Sequence, residues 1–469
     1  MSKYNKLAQN TAIFALGNVL SKLILSLLLP LYTRALTTAE YGTAELITSY
    51  SQLIVPIASL SIGDALFRYT MDKSQDRRHV LVNSCIVLCF GTILLFILVP
   101  LFGAIKTIGE WGVYLVLICV FSMWRSTFSL YSKAIGKSAI FAIDNILFNI
   151  ILTLANVILL IWGHLGIQGY FYAQIIAYIF SIVFLLFTNN LVGFIRREYS
   201  SKGLLKAMII YSAPLILNSI SWGIMGTADR VMLTAMINES ANGIYAAAAK
   251  IPSLLSLITG VFTQAWALSA IQDYEEEKDN RFYENVFKFT HIGVTIGTVF
   301  LLICNSLIFP WLLGKEFLES VKYVPTLLMG TVFLTYSNYF SPLFSAIKNT
   351  KVIMYSAIVG TFANILLNFY LIPEIGIMGA CIATAASYLV ITIFRYLAAR
   401  RLFKLNYEMK KILVIEFLLF VSSYLDTIEN EIYFIVNGII VILLLVMYWN
   451  EIKLVYCKTV NKFFNNRFI

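Results

Sequence analysis

Apolar runs of about twenty residues, separated by short polar stretches, recur from one end of the chain to the other. A helix needs roughly 20 mostly apolar residues to cross ~30 Å of hydrocarbon. By that measure spans start near Thr11, Tyr41, Val80, Gly112, Ala139 and Ile167, then near Ala207, Asn242, Val286, Tyr323, Val352 and Gly376. Two more start near Lys411 and Tyr433. The pattern predicts an all-α polytopic membrane protein of about 14 transmembrane helices. The first run, from about Thr11 to Thr33, is interrupted by Lys22 and has no small-residue cleavage site, so it reads as an uncleaved first span.

Composition agrees with the pattern. Of 469 residues, 59% are hydrophobic and 13% charged, about half the charged share of a soluble domain. Such a chain cannot cover a water-facing surface, so lipid is the solvent for most of it. The net charge of +10 would suit nucleic acid, but its distribution points elsewhere. With the N-terminus inside, 26 of the 35 Lys and Arg fall in the alternate loops and the two tails. The outer loops hold Arg34, Lys106, Arg230, Lys315 and Lys322, and Lys22, Arg125, Lys250 and Arg395 fall within spans. This is the positive-inside bias. It places both termini in the cytoplasm and accounts for the basic balance without a nucleic-acid partner.

The chain also repeats. Gly166-Ile167-Gln168-Gly169, followed by Ala173 and Tyr178, recurs 210 residues later as Gly376-Ile377-Met378-Gly379, followed by Ala383 and Tyr388. Earlier, Glu40-Tyr41-Gly42 matches the neighbourhood of Asn242-Gly243-Ile244-Tyr245, and Ala134-Ile135-Gly136-Lys137 resembles Ala346-Ile347-Lys348-Asn349. Two six-helix bundles, residues 1–200 and 201–405, are expected, with two extra helices and a basic tail in 406–469. Six is even, so the repeats are parallel, the arrangement in which transporters hold substrate between two bundles.

Charges within spans are costly and face a protein interior or a water-filled cavity. In the first span Thr11, Asn18, Lys22 and Ser26 share a face; in the second Glu45, Thr48, Gln52, Pro56, Ser59 and Gly63 form a stripe ending at Asp64. The second copy repeats the theme with Asn218, Ser221 and Asp229-Arg230 in span seven, and with Lys250, Ser253, Gly260 and Gln264 in span eight. Lys22 and Lys250 lie at similar depths in equivalent halves. Either they face a shared cavity, with Asn18, Gln52, Asn218 and Gln264, and hold an anionic substrate group, or each pairs with a neighbouring carboxylate, Glu45 for Lys22 for instance, and fixes packing. Glu45, Asp64, Asp229 and Arg230 are the candidates for coupling or gating. Arg125 and Asp144, on consecutive spans about one helical turn apart in depth, read as a structural ion pair. Arg395 and Glu416 lie near the inner face, where long side chains snorkel, and Asn145, Asn149 and Asn156 read as contacts between helices. The histidines are scattered near span ends. No metal-binding, triad or nucleotide-binding motif is present, so no catalytic residue, metal or cofactor is expected.

Taken in order, Asn10-Thr11 with Gly17, Pro30-Leu31-Tyr32-Thr33-Arg34, Ala39-Glu40-Tyr41-Gly42, Ala228-Asp229-Arg230-Val231-Met232-Leu233, Gly243-Ile244-Tyr245, Ala249-Lys250 and Gly376-Ile377-Met378-Gly379-Ala380 resemble the bacterial oligosaccharide flippases of the Wzx type. These polysaccharide-export proteins share a superfamily with multidrug and toxin extrusion antiporters and lipid II flippases. The resemblance implies a V-shaped transporter of the bacterial cytoplasmic membrane that moves a polyprenyl-diphosphate-linked oligosaccharide outward by alternating access. It implies basic residues in a cavity lined by the first, second, seventh and eighth spans, a place that Lys22 and Lys250 match. It also implies lipid as a partner, and polysaccharide polymerase or export machinery beside it. The alternatives are a cation-coupled small-molecule antiporter of the same superfamily and a membrane polymerase or glycosyltransferase. The last would need a large outer loop or an acidic metal-binding motif, and neither is present.

Overall fold

The computed structural model describes residues 28–449 except 73–74, 194–200, 277–279, 348, 404 and 406; side chains at 192, 218, 221, 222, 225, 268 and 271–276 are also outside the description. Asn18 and Lys22 of the first expected span therefore lie outside the described residues, as does the side chain of Asn218.

No strand occurs among the described residues. The α-helices are α1 (Leu29–Ala35), α2 (Thr38–Ala58), α3 (Ile62–Met71), α4 (Arg77–Ile97), α5 (Val99–Ala104), α6 (Gly112–Ala134), α7 (Ser138–Asn156), α8 (Gly166–Thr188) and α9 (Lys202–Met236). They continue as α10 (Glu239–Glu276), α11 (Asn280–Leu307), α12 (Phe309–Leu312), α13 (Val324–Ala346), α14 (Lys351–Ile375), α15 (Ile377–Phe403), α16 (Met409–Thr427) and α17 (Ile432–Met447). Nine helical stretches among the described residues are long and apolar enough to cross a membrane, or ten if the bent pair α2–α3 is one span. Their outward faces are apolar: Trp311 is 81% exposed, Phe187 73% and Val446 70%. Large side chains bared this widely belong against lipid tails.

Local sequence sets the element ends. Thr37 and Glu40 form a capping box at the start of α2: Glu40 N–H donates to Thr37 Oγ1 at 3.2 Å, and Thr37 N–H donates to Glu40 Oε2 at 2.9 Å. Near its other end Pro56 removes a backbone donor from the helical ladder. The helix stops at Ala58, Leu60 and Ser61 take φ of 50° and 47°, and α3 leaves at 54°. The single polar stripe expected from Glu45 to Asp64 is thus broken, and Asp64 sits exposed in the first turn of α3.

The described chain forms two compact units. The first comprises the described part of Met1–Lys250 with Leu313–Leu318 and Asn364–Ala380; the second comprises Ile251–Leu312, Glu319–Ala363 and the described part of Cys381–Ile469. In the first unit α9 lies along α2, α3 and α4, and α7 lies on α8. Ala155, Ala173 and Ala177 line the α7–α8 contact with Leu152. Small residues let helix backbones approach, which matters in lipid because burial there brings no gain over hydrocarbon and close packing must hold the helices. In the second unit α16 and α17 pack on α11 and α13 through Ile292, Val299, Met329, Ile415, Leu419, Ile440 and Leu444.

Two of the glycines matched in the sequence share a backbone conformation. Gly166 and Gly376 both take left-handed φ, +53° and +63°, immediately where α8 and α15 start. A side chain would be strained at either turn.

Candidate functional site

The most charged cluster in the first unit is built around Glu45 on α2. Tyr41, Glu45 and Ser49 succeed one another at i, i+4 spacing, so one helix face presents a phenol, a carboxylate and a hydroxyl in a row. Tyr41 Oη donates to Glu45 Oε1 at 3.0 Å. Lys250 Nζ, from α10, donates to the same oxygen at 2.8 Å. Arg230 Nη1, from α9, donates to Glu45 Oε2 at 2.7 Å and reaches Ser49 Oγ at 3.3 Å. Glu45 is 4% exposed, so its desolvation must be met by these partners. The Tyr41 ring stacks on Tyr32, which meets Tyr170 edge to face.

Two cations on one carboxylate leave these three side chains with one positive charge in excess. The Lys250 side chain is 31% exposed while that of Glu45 is 5% exposed, so the excess charge is carried at the accessible rim. The arrangement fits weak, reversible capture of an anion: a lysine is a mobile point charge with three donors, and the neighbouring carboxylate tempers its attraction.

Asp229 and Arg230 are consecutive and point to different faces of α9, as a rotation of about 100° per residue requires. Asp229 accepts from Tyr245 Oη at 2.8 Å, Asn364 Nδ2 at 3.0 Å and Asn368 Nδ2 at 2.5 Å. Asn364 and Asn368 sit one turn apart on α14 and bond to each other at 3.1 Å. Asp229 is 7% exposed, and these three neutral donors help to fix its orientation.

Gln52 and Gln264 present exposed side chains, and Asp64 belongs to α3, beyond the break. Arg125 and Asp144 are brought together: Arg125 Nη2 lies 3.0 Å from Asp144 Oδ2, and Nε donates to Ser181 Oγ at 2.8 Å. Ser129 and Ser181 both donate to Asp144, and the guanidinium lies over the Phe148 ring at 4.1 Å. Asn149 and Asn156 donate to carbonyls one turn back in α7; Asn145 does so too, while its Oδ1 accepts from Arg125 on another helix.

Two positions differ from the sequence reading. Arg230, counted with the outer loops, lies inside α9 on the Glu45 carboxylate. Arg395, expected to snorkel, is 2% exposed and donates to Ser356 Oγ at 2.8 Å, Ser341 Oγ at 2.6 Å and the Ser337 carbonyl at 2.9 Å. Serines supply enough acceptors to keep it in the packed interior. The sequence reading also missed Tyr41, Ser49, Tyr245, Asn364 and Asn368 as members of the charged clusters. The i, i+4 pairs Tyr41/Glu45 and Asn364/Asn368 carried a signal; the long-range partners carried none.

Residues 7–268 match a family model described as polysaccharide biosynthesis protein. An uncharacterized membrane protein of Methanocaldococcus jannaschii is 23% identical, over 88% of this chain and 88% of its own length. The fold is shared with the lipid II flippase MurJ in its inward closed conformation: TM-score 0.69 at 14% identity, covering 95% of this chain and 100% of that one. An inward-facing multidrug resistance MATE family transporter of the MOP superfamily gives 0.64 at 15% identity, covering 83% of this chain and 94% of that one. The chain therefore shares the helical fold of these two proteins, and, with more than half of its length matched, it belongs to the polysaccharide biosynthesis protein family.

Proposed function

We propose that this protein is a flippase that carries a polyprenyl-diphosphate-linked oligosaccharide from the inner to the outer leaflet of the cytoplasmic membrane by alternating access. The observation that carries the reading is the positive charge in excess at Glu45, Arg230 and Lys250, held on a partly exposed lysine. A diphosphate would pass hydrocarbon only at a cost of many kcal/mol if unpaired. A cationic, polar lining lowers that cost while the polyprenyl tail stays in lipid. Membership of a polysaccharide biosynthesis family and the fold shared with a lipid II flippase support the same reading. In this scheme Lys250 acts with Lys22, Asn18, Gln52 and Asn218 on the substrate. Glu45, Asp64, Asp229 and Arg230 respond to its arrival, and no covalent step takes place.

The test is accumulation of lipid-linked oligosaccharide in a deletion strain, with sidedness read by a membrane-impermeant sugar-modifying reagent. Glycan trapped on the inner leaflet, relieved by the wild-type protein and not by Lys22→Ala/Lys250→Ala, is the expected result. Normal export by the double variant overturns the lysine assignment, and unchanged glycan in the deletion strain overturns the substrate. The second reading, a cation-coupled antiporter, is favoured by the buried Asp229 carboxylate with its Asn364, Asn368 and Tyr245 donors. It predicts altered resistance to cationic dyes with glycan export intact.

A further inference from the structure

His291, on α11, is completely buried. Its Nδ1 lies 2.7 Å from Tyr336 Oη, on α13, and 3.5 Å from Glu416 Oε1, on α16. Tyr336 Oη donates to the same Glu416 oxygen. Imidazole, phenol and carboxyl from three helices thus converge on one point. None of the three belongs to the charged clusters of the first unit, and each lies in the second.

The surroundings are apolar. Met329, Ile415, Leu419 and Leu444 form one buried apolar core in this unit, the Phe287 ring lies 5.4 Å from the Tyr336 ring, and the Tyr448 ring lies 6.0 Å from the His291 ring. Helices α13 and α17 carry no charged residue. On α11 the charged groups are Arg281, Glu284 and Lys288; on and beside α16 they are Glu408, Lys410, Lys411 and, towards the other end, Asp426. Lys288 and Lys411 both pair with Glu408, and Asp426 accepts from Asn305 and Ser306. Arg395, on α15, is bonded to serines. No cation within 4 Å of Glu416 other than the His291 imidazole occurs among the described residues.

Electroneutrality then sets the proton count. With Tyr336 donating to Glu416, the His291 Nδ1 must carry hydrogen to complete its contact with the phenol oxygen. A neutral imidazole beside an ionised carboxylate leaves one net negative charge in an apolar interior, which low dielectric penalises heavily. One further proton, on His291 Nε2 or on the Glu416 carboxyl, makes the cluster neutral. Two atoms could take it: His291 Nε2 and Glu416 Oε2 are both buried and have no hydrogen-bond partner among the described residues. Glu416 also borders a groove of about 410 Å³ lined by Phe287, Phe333, Phe340, Leu389 and Phe417, and its side chain is 12% exposed. The carboxyl is therefore screened from water until the groove beside it is hydrated.

We propose that His291, Tyr336 and Glu416 form a proton-binding site in the second unit, loaded with one exchangeable proton and emptied only when the groove beside Glu416 admits water. Unloading is a plain transfer: the proton goes to water, leaving a carboxylate that accepts from Tyr336 and an imidazole protonated on Nδ1. Tyr336 is the positioning residue, holding the two proton carriers on one hydrogen-bonded path. The site does not depend on what the protein transports.

The test uses the full-length protein in lipid nanodiscs, with His79→Gln and His164→Asn leaving His291 as the remaining histidine. Nitrogen-15 spectra of the imidazole and the infrared carboxyl band are followed through a pH series. The expected result is a hydrogen retained on Nδ1, together with uptake of one proton that moves the histidine and carboxyl signals in the same pH range. Glu416→Gln abolishes that uptake and shifts the imidazole signal, and Tyr336→Phe splits the joint transition into two separate ones. An imidazole spectrum unchanged by Glu416→Gln, or a carboxyl that ionises without any response from His291, overturns the proposal. The spectra of the Glu416-containing protein decide the matter even if a substituted form fails to insert.

Discussion

Gly42 and Gly243, equivalent positions of the two sequence repeats, sit against each other's helices. A Cβ on Gly42 would lie 1.9 Å from the Glu239 carbonyl oxygen and 2.8 Å from Gly243 N, while one on Gly243 would lie 2.0 Å from the Thr38 carbonyl oxygen and 3.0 Å from Gly42 N. The starts of α2 and α10 therefore cross at backbone contact. Asn242 Nδ2 closes the crossing by donating to the Gly42 carbonyl at 2.7 Å. This crossing sets the separation of the helices that carry Glu45 and Lys250, so the ion pair depends on two absent side chains.

Gly42→Ala and Gly243→Ala should each destabilise the protein by about 1–3 kcal/mol, since the obstructing atoms are backbone and cannot turn aside. Gly438→Ala is the control: nothing lies within 4 Å of a Cβ there, and replacing a mid-helix glycine is neutral or stabilising. Melting temperatures in detergent check the contrast, and equal loss at all three positions would contradict the crossing.

Glu45→Ala should be more damaging than Lys250→Ala. The first leaves the Arg230 guanidinium and the Lys250 ammonium facing each other without the carboxylate between them; the second leaves a neutral Glu45–Arg230 pair. Removing one member of a buried pair costs about 3–5 kcal/mol, and that figure applies to the Glu45 change. The Lys250→Ala protein should fold near normally. Yield and melting temperature of the two single variants and of Glu45→Ala/Lys250→Ala measure the difference, with the double variant expected to be no worse than Glu45→Ala.

Arg125 and Arg395, both within spans, should respond unequally to replacement by methionine. Arg125→Met strands Asp144, which is fully buried, and should cost about 3 kcal/mol or more, largely recovered in Arg125→Met/Asp144→Leu. Arg395→Met strands nothing, because Ser337, Ser341 and Ser356 each donate to a carbonyl of their own helix. It should be milder by at least a factor of about ten in the folding equilibrium, which is roughly 1.4 kcal/mol. Chemical denaturation of both proteins in the same detergent decides it.

Outside the spans, Glu408 should contribute a pH-dependent share of stability. Hydrogen bonds from Lys288 and Lys411 hold its carboxyl below the ordinary glutamate range. A depressed carboxyl stabilises the fold at pH above its unfolded value, and that share fades as pH falls through the folded one. Glu408→Gln should therefore melt earlier than wild type near neutral pH. The two melting curves should converge in acid below the folded value, and a constant gap across the range would count against the assignment.

Much of the molecule was legible in the order of its residues. Twenty-residue apolar runs can satisfy their backbone in lipid only as helices, so Val80, Gly112 and Ala139 each announced a span within a few residues of where α4, α6 and α7 begin. The Gly166 and Gly376 motifs marked equivalent turns because a left-handed φ selects glycine locally. Arg125 and Asp144 were readable as partners because they lie on consecutive helices, where depth alone limits the pairing.

Tertiary structure alone decided the rest, because a buried charge chooses its partner through packing of distant helices. Glu45 lies 185 residues from Arg230 and 205 from Lys250, and nothing in helical spacing says which cation will reach it. The same holds for Asp229 with Asn364 and Asn368, and for His291, which has the sequence context of a span-end residue yet is enclosed by Tyr336 and Glu416. The break at Leu60 and Ser61 was likewise hidden, since Pro56 weakens a helix but does not say how far beyond it the chain will turn. Periodicity reports which face of a helix is polar; only the packed arrangement reports what that face meets.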